Sequence, residues 1–224
     1  MSVEIKFCGL TRTEDAQVAA ALGAAYLGVV LARSPRQLTV ERAAALFAAL
    51  DDSPARADAP PPRRVGVFAE TEARAIACAA AALDLDIVQL HGLDDARLIS
   101  ALRDETSARL WAVLHVGSEG LDEKRLTSAS LADGIVLDAK VEGMLGGTGQ
   151  AFDWERARAS VTPLRGVRPI ILAGGLRPEN VARAIDVFAP DVVDVSSGVE
   201  SSPGCKDPAR MRAFADAVHG ARRT

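Results

Sequence analysis

The chain has 224 residues, of which 49% are hydrophobic, and it carries a formal net charge of −4. This length suits one β/α barrel or one to two ordinary domains, with enough apolar residues for a large core. The modest negative charge argues against nucleic acid or an acidic membrane surface as a partner. The three cysteines are widely spaced and odd in number, so neither a disulfide framework nor a zinc site is predicted.

The first residues lead directly into a strand pattern, which is not typical of a signal peptide. The longest apolar run, residues 75–83, is too short to cross a bilayer. We therefore expect a protein of the reducing cytoplasm with no membrane partner.

Short apolar strands alternate with helical stretches rich in alanine and leucine. The predicted strands are 3–8, 25–30, 64–68, 86–90, 110–115, 134–138, 169–173 and 192–195. The predicted helices are 13–22, 39–50, 71–82, 94–103, 121–130, 153–160, 177–187 and 207–219, and Thr13 is the expected N-cap of the first. Strict alternation predicts a parallel sheet, and eight strand–helix units can close into a barrel. We therefore expect an α/β fold, a single eight-fold β/α barrel spanning residues 1–224. An open doubly wound sheet is the structural alternative, although it usually has fewer strands.

Two connecting segments interrupt this alternation. The proline-rich segment 53–63 leads from a helix to a strand, on the face opposite catalysis, and is interpreted as a surface linker. Segment 139–152 follows the sixth strand and carries four glycines, including Gly147. It could serve as a mobile lid over a site or be merely a flexible connection.

Glycine turns follow the last two predicted strands. The seventh strand ends at Gly174 and Gly175, and the eighth is followed by Ser197 and Gly198. Glycine lets the backbone approach a ligand closely, and free N–H groups at a helix start attract anions. In eight-fold barrels a phosphate site commonly lies after strands seven and eight. These four residues are therefore predicted to bind a phosphate group.

The first strand should direct Lys6 and Cys8 into the barrel, because alternate side chains of a barrel strand point inward. Val3, Ile5 and Phe7 should then pack against the helices. A lone cysteine is usually a small buried hydrophobe, but a thiol beside a cation forms thiolate more readily. We therefore expect Lys6 to lower the pKa of Cys8.

Two other strands end in side chains that could do chemistry. Asp138 closes strand six as either a structural cap or an acid/base, and its place at the same barrel mouth as Cys8 favours a proton donor. Gln89 and His91 share a face of strand four. No His/Asp/Glu cluster surrounds His91 in sequence, so a structural or substrate-contacting role is expected rather than metal binding.

Two further charged residues have open interpretations. Arg36 follows strand two, where it could be a solvated surface residue or form a bidentate pair with a substrate carboxylate. Asp194 lies in strand eight, where a buried structural carboxylate is one possible role.

Eight motifs occur in order between residues 6 and 207. They are KFCGLT (6–11), SPR (34–36), VQLHG (88–92), VLD (136–138), GGTGQAFDW (146–154), LAGGL (172–176), DVSSGVE (194–200) and PGCKD (203–207). As a set, they resemble the phosphoribosylanthranilate isomerase family of tryptophan biosynthesis.

The resemblance implies an eight-fold β/α barrel and an Amadori rearrangement without metal or other cofactor. The substrate would be a small phosphorylated aminosugar, N-(5-phosphoribosyl)anthranilate, and the product 1-(2-carboxyphenylamino)-1-deoxyribulose 5-phosphate. By the same resemblance Cys8 is the general base, Asp138 the general acid, and Arg36 the partner of the anthranilate carboxylate. The expected substrate-binding set is Lys6, Arg36, Gln89, His91, Gly147, Gly174, Gly175, Ser197 and Gly198. A monomer and a homodimer are both compatible with the sequence.

Other functions compete with this one. A ribulose-phosphate epimerase would require metal ligands on several strands, and an indole-glycerol-phosphate synthase would require catalytic Lys and Glu residues. A related aminoaldose of histidine biosynthesis undergoes the same chemistry, but that isomerase relies on a pair of aspartates. A non-catalytic barrel that binds a phosphorylated metabolite would not need both Cys8 and Asp138.

Overall fold

The computed structural model describes residues 2–51, 60–91, 96–115, 129–138 and 168–221, together with residues 158, 162 and 166. The glycine-rich segment 139–152, including Gly147, lies outside the described residues. So do most of the proline-rich segment 53–63 and most of the predicted helices 121–130 and 153–160.

Eight parallel strands form a closed barrel in which neighbours follow chain order and the last strand pairs with the first. The strands are β1 (Glu4–Phe7), β2 (Tyr26–Val30), β3 (Arg63–Phe68), β4 (Ile87–Leu90), β5 (Arg109–His115), β6 (Gly134–Asp138), β7 (Ile170–Ala173) and β8 (Val192–Val195). The predicted barrel is therefore confirmed, the open sheet is wrong, and no predicted strand end is displaced by more than one residue.

Six helices occur within the described ranges, at positions where the sequence predicts them. They are α1 (Thr13–Ala21), α2 (Val40–Asp51), α3 (Ala73–Ala82), α4 (Ala96–Glu105), α5 (Val181–Phe188) and α6 (Pro208–Gly220). The prediction of Thr13 as an N-cap is wrong. Arg12 has the extended backbone of the cap position, and its guanidinium binds the carboxylate of Asp15 in the first turn at 2.6 and 2.9 Å.

A short antiparallel hairpin, β9 (Glu200–Ser202) and β10 (Cys205–Lys206), follows β8 after a single 3₁₀ turn at Ser197–Val199. The sequence does not predict this hairpin, because strands of three and two residues are too short to show an alternating pattern.

Two apolar layers stabilise the barrel. The inner layer fills the barrel with Tyr26, Val65, Ile87, Trp111, Val113, Val136, Ile171 and Val192. The outer layer lies between strands and helices and includes Ile5 and Phe7, with the Phe7 ring in edge contact with Phe214 of α6 at 6.1 Å. Lys6, between Ile5 and Phe7 in sequence, is fully buried, and a Cβ added to Gly28 would lie 3.4 Å from its Cε and 3.3 Å from Cys8 Sγ. Lys6 and Cys8 therefore share a face that Ile5 and Phe7 do not, which confirms the predicted alternation of β1.

All eight strands run in the same direction, so their carboxyl ends open at one mouth of the barrel. Cys8 follows β1 there, Asp138 ends β6, and the glycine turns follow β7 and β8. The fold thus gathers residues that are far apart in sequence at the end where β/α-barrel enzymes carry out catalysis.

The start of α6 provides a test of local stability. The Asp207 side chain accepts hydrogen bonds from the backbone N–H groups of Ala209 and Arg210, at 2.9 and 3.1 Å. We expect Asp207→Ala to lower the free energy of unfolding by about 1 kcal/mol, measured by urea denaturation, because those donors lose their acceptor. Asp207→Asn keeps an acceptor oxygen and serves as the matched control. Equal stability of the alanine variant and the wild type would contradict the capping role.

Candidate active site

A buried ion pair lies at the junction where the barrel closes. The Lys6 ammonium donates to Asp194 Oδ2 at 2.7 Å, and the two side chains are 0% and 6% exposed. These residues face each other in the β1–β8 register. Burial alone would lower the pKa of Lys6, but the charges and hydrogen bonds of Asp194 and Cys8 together outweigh that effect and raise it. Lys6 therefore stays cationic, and Asp194 has the buried structural role considered from the sequence.

Cys8 lies at the end of β1, on the same inward side as Lys6. Its backbone N–H donates to the carbonyl oxygen of Val195 at 2.9 Å, and its side chain is buried. Burial is the main cause that raises the pKa of the thiol, and the charge of Asp194 adds to it, while Lys6 and Lys206 only partly oppose these two effects. The net pKa is raised. The predicted lowering is therefore wrong, although the predicted electrostatic contribution of Lys6 has the expected sign.

Asp138 closes β6 and its side chain is 16% exposed, so it reaches the open mouth. Burial raises the pKa of Asp194, and Asp138 adds to this when it is ionised, so the two carboxyl groups lie within electrostatic range of each other. In the closed ring β6 is separated from β1 by β7 and β8. Cys8 and Asp138 therefore approach the mouth from different sides.

Two histidines accompany Asp138. His115 ends β5, opposite Asp138 in the register, and its Nδ1 lies 3.7 Å from Asp138 Oδ2. The rings of His91 and His115 meet edge to face, with 5.2 Å between centroids. His91 was predicted from the sequence as a candidate site residue, whereas His115 was not. The available signal for His115 was that it closes strand five just as Asp138 closes strand six.

Gln89 is buried in the barrel at 4% exposure, in register with Trp111 of the inner layer. Its Oε1 atom accepts no hydrogen bond from the described residues. A buried amide oxygen is normally satisfied, because leaving it unpaired costs about 1–3 kcal/mol. Gln89 thus has a buried acceptor atom that no described residue uses.

The two glycine turns contact each other directly. Gly174 and Gly175 have φ of +89° and +65°, a conformation that residues with a side chain rarely adopt. A Cβ added to Gly198 would lie 1.8 Å from the carbonyl oxygen of Leu176, so no side chain fits there. The residues predicted to bind phosphate, including Ser197 at the start of the 3₁₀ turn, are therefore brought together.

Arg36 is held by a carboxylate of the chain itself. Its Nε and Nη2 donate to Glu200 Oε1 and Oε2 at 2.7 and 2.6 Å. The buried Lys206 donates to Glu200 Oε1 at 2.9 Å. Burial would raise the pKa of Glu200, but Arg36 and Lys206 outweigh it and lower that pKa. Glu200 and Lys206 were not predicted as site residues; their only signal in the sequence was their position inside two of the recognised motifs.

Within the described residues, no group of three or more His, Cys, Asp or Glu side chains could hold a metal ion. None of the helices in those ranges has the length and hydropathy needed to cross a membrane. Cys8, Cys78 and Cys205 are all free thiols.

A closed β/α barrel with a buried thiol, a carboxylate and two contacting glycine turns at its carboxyl-end mouth defines a β/α-barrel enzyme. The sequence model of one family, N-(5'-phosphoribosyl)anthranilate (PRA) isomerase, matches residues 5–217. The chain belongs to this family, as its motifs predicted.

Individual relatives agree with this assignment. A PRA isomerase of Pseudomonas aeruginosa is 41% identical over 225 residues, covering 99% of this chain and 98% of the relative. A crystal structure of PRA isomerase from Thermotoga maritima has a TM-score of 0.78 and 34% identity, over 97% of this chain and 99% of that one. A further PRA isomerase, in complex with reduced 1-(o-carboxyphenylamino)-1-deoxyribulose 5-phosphate, has a TM-score of 0.76 and 32% identity, with 97% and 99% coverage.

The raised pKa of Cys8 can be tested by titration. Because burial disfavours the thiolate, we expect its ultraviolet absorbance to appear with a midpoint above about 8.5, the value of an exposed thiol. A Cys78→Ser/Cys205→Ser variant isolates Cys8, and Cys8→Ala/Cys205→Ser retains the exposed Cys78 as a reference. A Cys8 midpoint at or below that of Cys78 would contradict the raised pKa.

Proposed function

We propose that this chain converts N-(5-phosphoribosyl)anthranilate to 1-(2-carboxyphenylamino)-1-deoxyribulose 5-phosphate, an Amadori rearrangement in tryptophan biosynthesis. The observation that carries the proposal is the placement of Cys8 and Asp138 at one barrel mouth, on strands separated by two others. Family membership and a related structure that holds the reduced product support the same substrate.

The reaction needs an acid and a base. Asp138 donates a proton to the furanose oxygen, the C1′–O bond breaks, and a Schiff base forms with the anthranilate nitrogen. The Cys8 thiolate then removes the proton at C2′, which the Schiff base has made acidic. The Cys8 thiol then returns a proton to C1′ of the resulting enolamine, and the Asp138 carboxylate accepts the proton of the 2′-hydroxyl, which gives the aminoketose and restores both groups. Each proton-transfer group of this kind typically contributes about 10²–10⁴ to the rate.

Lys6 supports the base without transferring a proton itself. Its pKa is raised by Asp194, so it keeps its charge beside Cys8 and favours the thiolate. The raised pKa of Cys8 makes the thiolate a stronger base once it has formed. We infer that Lys6 tunes the base and that Asp194 holds Lys6 in place.

The remaining contacts follow the shape of the substrate. The backbone at Gly174, Gly175, Ser197 and Gly198 would hold the phosphate through N–H groups, supported by the close approach of the two turns. The guanidinium of Arg36 would bind the anthranilate carboxylate. Gln89 and His91 would line the sugar site, and Gly147, outside the described residues, stays an expectation.

The proposed chemistry is complete with this acid–base pair, so we infer that no cofactor is required. We further propose that the chain acts as one barrel domain, because β8 closes on β1 and α6 packs beside Phe7. A cytoplasmic location is proposed because all three thiols are free and the reaction is biosynthetic.

The acid and the base can be removed one at a time. We expect Cys8→Ala and Asp138→Asn each to lower kcat by about 10²–10⁴ or more, because each loses a proton-transfer group. Turnover is followed by loss of the fluorescence of the anthranilate substrate, and binding of the reduced product should be retained. Cys78→Ser and Asp104→Asn, at exposed helix positions, are matched controls. Wild-type turnover in either site variant would refute the role of that residue.

Arg36 should act mainly in binding. We expect Arg36→Ala to raise KM about 10- to 100-fold with little change in kcat, because charge-assisted hydrogen bonds are worth about 1.5–3 kcal/mol. Arg42→Ala, at an exposed position of α2, is the control for loss of one surface charge. A large loss of kcat with unchanged KM would show that Arg36 takes part in the chemistry instead.

A further inference from the structure

The contact between Arg36 and Glu200 uses one particular edge of the guanidinium. Glu200 accepts from Nε and Nη2, which form the side-on edge. Of the five N–H donors of arginine, both on Nη1 and one on Nη2 remain, and one N–H from each of these nitrogens forms the end-on edge. Nη1 makes no hydrogen bond within the described part of the chain, and the Arg36 side chain is 22% exposed. Arg36 therefore retains one complete edge for a second carboxylate.

Glu200 is itself held firmly. Its Oε1 accepts from Lys206 Nζ at 2.9 Å and from the backbone N–H of Gly204 at 3.3 Å, while Arg210 binds its backbone carbonyl at 2.6 Å. Its side chain is 5% exposed, and Glu200 is the first residue of the β9–β10 hairpin. A carboxylate fixed from this many directions can fix the plane of the guanidinium that it binds.

The aliphatic part of the Arg36 side chain lies beside Gly9, just after β1. A Cβ added to Gly9 would come within 2.5 Å of Arg36 Cδ and 3.0 Å of Ser196 Oγ, so the arginine packs directly over the residue that follows Cys8. Lys206, which donates to the Ser196 carbonyl at 3.1 Å, joins the same group. The Arg36 side chain is thus packed at Gly9, after β1, while its guanidinium is bound by Glu200, in the segment after β8.

The net charge of Arg36, Glu200 and Lys206 attracts an anion. Burial lowers the pKa of Lys206, although the hydrogen bond and charge of Glu200 oppose this. With Arg36 and Lys206 protonated, the group has two positive charges, and Glu200 carries one negative charge because both cations lower its pKa. The balance is +1. An Arg36–Glu200 pair alone would be neutral, so Lys206 preserves the ability of Arg36 to attract a second carboxylate.

We propose that Glu200 is a positioning residue, with Lys206 as its charge partner, and that it presents the end-on edge of Arg36 to the anthranilate carboxylate. Glu200 thereby sets the preference for ligands that carry this carboxylate. The inference rests on the proposed function, because it assumes that the carboxylate of that substrate binds at Arg36.

A purely structural role for Glu200 is the competing explanation, since the same contacts tie the hairpin to the loop after β2. The two explanations differ in one measurable property. A structural role would weaken binding of every ligand of the barrel mouth alike. A positioning role weakens only ligands that carry the carboxylate.

The experiment measures the dissociation constants of two ligands by calorimetry. One is the reduced 1-(2-carboxyphenylamino)-1-deoxyribulose 5-phosphate, and the other is its phenylamino counterpart without the carboxylate. For Glu200→Gln we expect about tenfold weaker binding of the first ligand and a change within about twofold for the second. KM for the substrate should rise in parallel while kcat changes little. Glu105→Gln, at an exposed position of α4, is the control.

Two further variants test the role of Glu200 independently. In an Arg36→Ala background, Glu200→Gln should have no additional effect on the difference between the two ligands, because the positioned group is gone. Should Glu200→Gln not fold, Arg36→Lys leaves Glu200 intact, and it should lose the same discrimination because an ammonium cannot offer two edges. Equal weakening of both ligands, no weakening of either, or full discrimination by Arg36→Lys would overturn the positioning role.

Failure of the proposed function gives a different result. A wild-type enzyme that does not turn over N-(5-phosphoribosyl)anthranilate refutes the function and, with it, this inference. A wild type that turns over the substrate, together with a Glu200→Gln variant that treats both ligands alike, refutes only the role of Glu200.

Discussion

The buried contact between Lys6 and Asp194 is the interaction on which the candidate site depends. It joins β1 to β8, the two strands whose pairing closes the barrel, and both side chains lie out of solvent. Such a pair contributes little net stability over an apolar pair, but removing one partner leaves an unpaired buried charge and is strongly destabilising. The pair therefore fixes where a cation lies inside the barrel, and Cys8 and the eighth-strand turn are placed relative to it.

A cation shared between a carboxylate and a thiol explains the electrostatics of Cys8. Burial is the main cause of the raised thiol pKa, and Asp194, which helps to keep Lys6 charged, also opposes the thiolate. A fully exposed lysine would be screened by solvent and would act weakly on a neighbouring thiol. Inside the barrel Lys6 is unscreened, yet its effect is divided between two partners.

The group formed by Arg36, Glu200 and Lys206 repeats this arrangement at the rim. Here one carboxylate is shared by two cations, and the excess charge is positive. Both groups are assembled from the loops and strands around β1 and β8, next to the contact between the glycine turns. Charge is thus concentrated on one side of the mouth, while Asp138, His115 and His91 occupy the other.

Local patterns in the sequence determined much of the molecule. The alternation of Lys6 with its apolar neighbours in β1 predicted which side chains enter the barrel, because a strand has a period of two residues. Counting strands placed the glycine turns after the seventh and eighth, since a parallel barrel brings all carboxyl ends together. The family followed from ordered motifs that span nearly the whole chain.

Only the tertiary structure decided which charges meet. Arg36 and Glu200 are 164 residues apart in the chain, and nothing in either motif encodes that they pair. The direction of the Cys8 pKa depends on burial and on a carboxylate from β8, neither of which is a local property. His115 gained significance only because register places it opposite Asp138. The periodicity of a strand or helix depends on neighbouring residues and can be seen in the sequence. The pairing of charged side chains and their removal from water occur only when the barrel closes.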